Sequence, residues 1–332
     1  MILTVTLNPA LDTTYEVERL EPNQSHRVLA AHACAGGKGI NVARVLTALG
    51  RPAVVTGFAG GSAGAELRAD LAAAGLADEL VSVHGESRRT VAVVSRTEPD
   101  ATVFNEPGPP ITEAEWDEFT RRFDALAHEA DLVVLSGSLP PGVPGDAYAR
   151  LVRAARALDR PTVLDTAGPA LTEAIGAGPT VVKPNAVELA AAVEAHTTGS
   201  DSATDPTVNP AFDPPVFDPT TGAALLVAAG AGAVVASLGP RGLYALTPHG
   251  AWRVAAPGPL AGNPTGAGDS CVAAIAAGLA EHASWPEILR EAAALSAATV
   301  LSPVAGSFDA EAYCLYRTTI SVEEVHAAHP DR

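Results

Sequence analysis

Apolar positions along the chain fall into two alternating rhythms. Short β-branched runs at residues 2–7, 53–58, 132–136, 162–165, 180–183, 234–238 and 243–247 read as strands. Ala- and Leu-rich stretches with helical spacing at 40–49, 63–74, 113–129, 146–158, 186–194, 222–231, 267–281 and 285–301 read as helices. Leu132-Val133-Val134-Leu135 has no polar position at all, which suits a strand covered on both faces, as in a parallel sheet packed between helices. The βαβα order predicts an α/β protein, with a doubly wound and mostly parallel central sheet flanked by helices.

Two stretches depart from that order. Residues 13–33 and 88–105 look like strands with no helix between them, and Val91, Val93 and Ser95 alternate. They are expected either to form a small sheet standing off the main body, where it can cover a site or pair with a second subunit, or to extend one edge of the main sheet. Residues 197–219 carry five prolines among Asp, Thr and Ser, with no periodicity, and read as a mobile surface insertion. The whole chain, 1–332, is expected to be one domain.

Charge narrows the possible partners. Lys and Arg number 21 against 38 for Asp and Glu, a net charge of −17, so neither nucleic acid nor an anionic membrane is an expected partner. An anionic small substrate would need cations placed locally. Cys34, Cys271 and Cys314 are too few and too scattered for a disulfide framework or a zinc site, and the histidines form no metal-binding pair. The apolar start has no basic flank and reaches Asn8-Pro9 quickly, so it reads as a first strand rather than a signal peptide. A cytoplasmic protein is expected.

The chemistry concentrates in a few turns. Gly262-Asn-Pro-Thr-Gly-Ala-Gly-Asp-Ser270 runs straight into a helical pattern. Gly266 and Gly268 permit close backbone approach, and the amides at a helix start have no intrahelical partners, so the segment makes a pocket for negative charge. Asp269 lies within it, where a carboxylate could take the proton of a hydroxyl attacking a phosphoryl group. An aspartate in this position also caps helices; its companions favour the catalytic role. Cys34-Ala-Gly-Gly-Lys-Gly-Ile-Asn41 is a second glycine turn entering a helix, with Lys38 and Asn41 projecting from it, and it matches neither a Walker A loop nor a dinucleotide fingerprint. Thr6-Leu-Asn-Pro-Ala-Leu-Asp12, Leu135-Ser-Gly-Ser-Leu-Pro-Pro-Gly142, Val182-Lys-Pro-Asn-Ala-Val-Glu188 and Ser237-Leu-Gly-Pro-Arg-Gly242 each close an apolar strand. Gly, Pro, Asn and Ser favour turns for local reasons. Their shared position at strand C-termini points to one crevice.

Together these motifs resemble the ribokinase-like superfamily, and within it the PfkB branch of phosphosugar kinases, over essentially the whole chain. Asn-Pro-Ala-Leu-Asp12 and Gly-Gly-Lys-Gly-Ile-Asn41 are most similar to the 1-phosphofructokinase and tagatose-6-phosphate kinase groups. The resemblance implies a ribokinase-like fold with a small β-sheet lid, and transfer of the γ-phosphoryl of ATP to a sugar-phosphate hydroxyl. Fructose 1-phosphate is the foremost acceptor; tagatose 6-phosphate and fructose 6-phosphate are alternatives. A non-catalytic sugar or nucleotide sensor is the reading of another class, and the intact Asp269 counts against it. On matching residues, Asp269 would be the base, and Gly266, Ala267 and Gly268 the anion hole. Asp12, Asn41, Gly37 and Gly39 would hold sugar hydroxyls, while Lys38, Ser138 and Arg88 (or Arg89) would lie near the sugar phosphate. Asn185 and Glu188 would organise Mg²⁺ through water, and Lys183, Ser237, Gly239 and Gly242 would border the nucleotide. A homodimer through the lid sheet is implied. One departure is Ser62, which stands where the family often has an acid after its second core strand.

Overall fold

In the computed structural model, residues 1–97, 101–198 and 218–325 are described. The chain begins β1 (Ile2–Thr6), β2 (Ala10–Val17), β3 (Ala30–Gly36), α1 (Lys38–Ala48), β4 (Ala53–Gly60), α2 (Gly61–Ala73), β5 (Ala77–Asp78), β6 (Val81–Val83), β7 (Arg88–Ser95) and β8 (Ala101–Asn105). It continues α3 (Glu113–Glu129), β9 (Leu132–Ser136), α4 (Ala147–Ala157), β10 (Thr162–Asp165), α5 (Pro169–Ile175), β11 (Val181–Val182), α6 (Ala186–Thr198), α7 (Pro219–Ala228) and β12 (Val234–Ser237). The rest is β13 (Leu243–Thr247), β14 (Gly250–Val254), α8 (Ala267–Ala280), α9 (Trp285–Val300), α10 (Ala310–Thr319) and β15 (Val322–Val325).

The large sheet has the order β15-β14-β13-β12-β11-β10-β9-β1-β4-β5. It is parallel from β5 to β12 and antiparallel from β12 to β15. Strict alternation along its strands divides the core in two. Leu132 and Val134 of β9 face Ile40, Leu46, Leu67, Ile275 and Leu289 on α1, α2, α8 and α9. Val133 and Leu135 face the other layer, with Phe119, Phe123, Tyr148, Leu171 and Leu226 on α3, α4, α5 and α7. Each such side chain, fully removed from water, contributes about 1.5–3 kcal/mol. This double coverage is why the strands read as unbroken apolar runs.

The two irregular stretches form a separate four-stranded sheet, β3-β2-β7-β8, rather than an edge extension. Its first strand starts at Ala10, not at 13, and pairs in parallel with β7, Asp12 lying opposite Thr90. Six elements escape the sequence pattern: β5, β6, α5, β14, α10 and β15. β15 is a solvent-facing edge whose centre is Glu323-Glu324, so it lacks the apolar alternation of a core strand. No α10 side chain is fully buried, and the apolar face that touches the core is short, with Tyr313 and Tyr316 only partly covered. The proline-rich run at 197–219 lies almost wholly outside the described residues, between α6 and α7.

The missing acid at Ser62 is replaced in space. Glu86, just before β7, accepts from the backbone amides of Ser62 (3.1 Å) and Ala63 (2.6 Å) and from the Ser62 hydroxyl (2.8 Å), so a carboxylate still occupies the α2 N-terminus.

Gly39 shows how tightly α1 is seated on β1. A Cβ there would lie 2.3 Å from Thr6 Oγ1 and 3.0 Å from the Val5 carbonyl oxygen. Gly39→Ala is expected to destabilise the protein by about 1–3 kcal/mol through overpacking, read as a lower midpoint in urea unfolding; an unchanged midpoint would mean that α1 is free to slide.

Candidate active site

One cleft of about 1820 Å³ holds every expected site residue except Gly39 and Ser138. The small sheet roofs one end through Asp12, Arg88, Thr90, Val103 and Asn105; the starts of α1, α6 and α8 form the floor.

Gly266 takes a left-handed conformation (φ 86°) to turn the chain into α8, and no side chain caps that helix. Asp269 sits in its first turn, buried but on the cleft wall. The Asn41 amide Nδ2 donates to its Oδ2 at 2.8 Å. Burial is the main influence on this carboxyl, and the charge of Asp165 adds to it. Together they outweigh Lys38, Asn41 and Lys183 and hold the group up to about 7. The Ala267 amide donates at 3.2 Å to the Pro264 carbonyl, so part of the expected anion hole has an internal partner. A Cβ at Gly268 would lie 3.4 Å from Lys183 Nζ, which places the start of α8 beside that lysine.

Beneath Asp269 lies a charged cluster. Asp165 is 1% exposed, and its Oδ1 is 3.2 Å from Lys38 Nζ and 3.4 Å from Lys183 Nζ. Lys38 also stands 3.7 Å from Glu188 Oε1. Burial pushes the Asp165 carboxyl up, but the Lys183 and Lys38 ammonium groups outweigh it and hold the group below its ordinary value, ionised. Burial pushes Lys38 down, yet Asp165, Glu188 and Asp269 together keep it firmly charged. Asp165 was not among the residues expected from sequence. Its signal was the one the others gave, a polar residue closing an apolar strand, here Thr162-Val-Leu-Asp165.

The geometry gives each expected residue its neighbours. Lys38, expected beside a sugar phosphate, points into this carboxylate cluster. Asn41, expected on a sugar hydroxyl, donates to Asp269. Gly39 is packed against β1 and does not reach the cleft. Ser138 lines a neighbouring cavity of about 490 Å³ and accepts from Asn8 Nδ2 at 3.1 Å. Of the two arginines, Arg88 lines the cleft beside Asp12, whereas Arg89 pairs with Glu86 at 3.5 Å, off the cleft wall. Burial raises the Asp12 carboxyl, and the Thr90 hydroxyl, Arg88 and Arg44 oppose that rise. Gly36 makes room for it, since a Cβ there would fall 1.8 Å from Asp12 Oδ2.

At the opposite end, Asn185 and Glu188 start α6 reciprocally. Asn185 Oδ1 accepts from the amides of Val187 (2.9 Å) and Glu188 (2.8 Å), and Glu188 Oε2 accepts from the Asn185 amide at 2.8 Å. That leaves Glu188 Oε1 as the oxygen near Lys38. Among the described residues no group of three or more carboxylate, His or Cys side chains could hold a metal. Asn185 and Glu188 offer oxygen donors, the type that Mg²⁺ takes directly or through water. Ser237 closes β12, and Gly239 (φ 58°) and Gly242 (φ 81°) bracket a single 3₁₀ turn. With Ala256, Pro257, Leu260, Ala293 and Val300 they line the apolar end of the cleft.

Comparisons with known proteins agree on one family. The model of the pfkB family carbohydrate kinases matches residues 5–311. A tagatose-6-phosphate kinase of Staphylococcus epidermidis is 32% identical over 327 residues, covering 98% of this chain and 100% of its own length. The crystal structure of phosphofructokinase-2 from Escherichia coli in complex with potassium superposes with a TM-score of 0.84 at 29% identity, covering 96% of this chain and 98% of that one. A structure described as a possible 1-phosphofructokinase from Thermotoga maritima gives 0.81 at 28% identity, covering 98% and 99%.

The raised Asp269 carboxyl has a thermodynamic signature. A group at about 7 in the fold and 3.8 when exposed resists ionisation only while folded, so its penalty is absent below 3.8 and grows as pH rises to about 7. Asp269→Asn removes that penalty. The melting temperature of the variant is expected to exceed that of the unsubstituted chain by a margin that widens between pH 5 and pH 8. A margin independent of pH in a calorimetric series would contradict the shift.

Proposed function

The chain belongs to the pfkB family of carbohydrate kinases and is a sugar-phosphate kinase, and we propose that its acceptor is fructose 1-phosphate, converted with ATP to fructose 1,6-bisphosphate. The observation that carries the mechanism is the placement of Asp269, a buried carboxylate at about 7 beside the uncapped start of α8. In this reading the acceptor hydroxyl gives its proton to Asp269 as its oxygen bonds to the γ-phosphorus and the bond to the β-phosphate bridging oxygen breaks. A base whose value lies near working pH is matched to that task. The open amides at Gly268 and Asp269 meet the negative charge on the transferring group.

The cations sort themselves by position. Arg88 meets the phosphate already on the sugar, and Asp12 meets a sugar hydroxyl. Lys38, at the junction between Asp165, Glu188 and Asp269, meets the γ-phosphoryl rather than the sugar phosphate. When bound, Mg²⁺ offsets the charge of the ATP phosphates, and Glu188 and Asn185 would hold it through water. The apolar end between the Gly239–Gly242 turn and α9 accepts the adenine. Glycines and strand ends fix these groups before substrate arrives, so catalysis rests on alignment and electrostatics.

The Asn-Pro-Ala-Leu-Asp12 and Gly-Gly-Lys-Gly-Ile-Asn41 segments are similar to both the 1-phosphofructokinase and tagatose-6-phosphate kinase groups, and likeness to the Thermotoga maritima structure supports fructose 1-phosphate. Tagatose 6-phosphate is the second reading, favoured by the full-length relative at 32% identity. The protein acts as a homodimer paired through the small sheet, whose β8 edge is exposed throughout and presents Val103 and Phe104. No helix among the described residues is long and apolar enough to cross a membrane.

ADP release measured against fructose 1-phosphate, tagatose 6-phosphate and fructose 6-phosphate tests the acceptor. The highest kcat/KM is expected for fructose 1-phosphate, and a larger value for either of the others would reassign it. Asp269→Asn is expected to lower kcat by about 10²–10⁴ while both substrates still bind. The kcat/KM of the unsubstituted enzyme should fall tenfold per unit on the acid side of about pH 7. Retained turnover in the variant would remove Asp269 from the base role.

A further inference from the structure

The small sheet joins the main body through short connections, and one side chain touches several of them. Asn8 lies in the three-residue link between β1 and β2 and is 6% exposed. Its Nδ2 donates at 3.1 Å to the Pro107 carbonyl, in the link from β8 to α3, and at 3.1 Å to Ser138 Oγ, beyond β9. Its own carbonyl accepts from Arg88 Nε at 3.0 Å, at the first residue of β7. Gly108, at φ 93°, lets the β8–α3 link close over it, because a Cβ there would come within 2.2 Å of Asn8 Oδ1. That oxygen is buried with no hydrogen-bond partner. An orphaned acceptor costs about 1–3 kcal/mol; at this position the donors on the same amide are what hold the side chain in place.

We propose that Asn8 is a positioning residue for Arg88, fixing the guanidinium over the sugar end of the cleft by bracing the roots of the small sheet against the β9 turn. The inference rests on the proposed reading of Arg88 as the partner of the acceptor's phosphate. Arg88 binds through Nε to a main-chain carbonyl, and that carbonyl stays in place because the Asn8 side chain is tied on both sides. Without those ties the arginine keeps its charge and the longer contact of Nη1 with the Glu106 carbonyl (3.5 Å), but its Nε anchor can shift and the guanidinium with it. A bidentate cation–phosphate contact is sensitive to direction, so the loss falls on acceptor binding and leaves the distant nucleotide end untouched.

The test is a double-mutant cycle on the full-length enzyme, using whichever of fructose 1-phosphate, tagatose 6-phosphate and fructose 6-phosphate it turns over, with KM measured separately for that acceptor and for ATP. Asn8→Ala is expected to raise the acceptor KM about tenfold, and Arg88→Ala about a hundredfold, as for loss of a hydrogen-bonded charge. The KM for ATP stays within about twofold, and the double variant is no worse than Arg88→Ala alone. Asn8→Ser keeps a hydroxyl donor and gives an intermediate rise, which carries the test if the alanine variant does not fold. Effects that multiply in the double variant, or equal rises for both substrates, would show a purely structural role and overturn the inference. An Arg88→Ala variant with an unchanged acceptor KM would overturn the reading of the phosphate site itself, and the inference with it.

Discussion

Two lysines share one buried aspartate, and the aspartate beside them is left with an amide. Asp165 takes Lys38 and Lys183, and Asp269 takes Asn41. Taking charges out of water is costly, and removing one partner of such a pair typically costs about 3–5 kcal/mol. The cluster therefore has little freedom to redistribute its protons. Its asymmetry has a chemical consequence: Asp165 is held ionised by its cations, while Asp269 stays poised to take a proton. Identical side chains acquire different roles through burial and neighbours alone.

The chain's excess of negative charge makes that local arrangement necessary. A protein at −17 repels anionic substrates in general, so any affinity for a sugar phosphate and a nucleotide must come from a few groups at short range. The structure puts Lys38, Lys183 and Arg88 along one cleft and adds the amide end of α8. The double-layered core keeps α1 and α8 from shifting against β1 and β9. That rigidity is why Gly39, without touching the cleft, matters to it: it lets the helix bearing Lys38 and Asn41 lie directly on β1.

Much of this was legible in the residues, for identifiable reasons. Runs such as Leu132-Val133-Val134-Leu135 announce a strand buried on both faces, and the glycine turns before Lys38 and Ala267 announce helix starts that open to a ligand. Amphipathic or polar elements left no such trace, as with β15 around Glu323-Glu324 and the exposed α10. Motifs located the cleft but could not give the direction of a side chain. Lys38 and Asn41 belong to one segment with the glycines, yet the tertiary fold turns one toward Asp165 and the other toward Asp269. Asp165 carried the same strand-end signal as the others, but its pairing was not legible. Its partners come from α1 and from just beyond β11, a juxtaposition that no local pattern encodes.

The central claim is that Asp269 alone among these buried carboxyls changes its proton near neutrality. Carboxyl bands in infrared difference spectra, recorded on protein with ¹³C-labelled aspartate and compared between the unsubstituted chain and Asp269→Asn, report on it directly. A protonated-carboxyl band present at pH 6, lost with a midpoint at about 7 and missing from the variant is the predicted result. A band that disappears near the ordinary value of 3.8, leaving Asp269 ionised throughout the neutral range, would contradict the account.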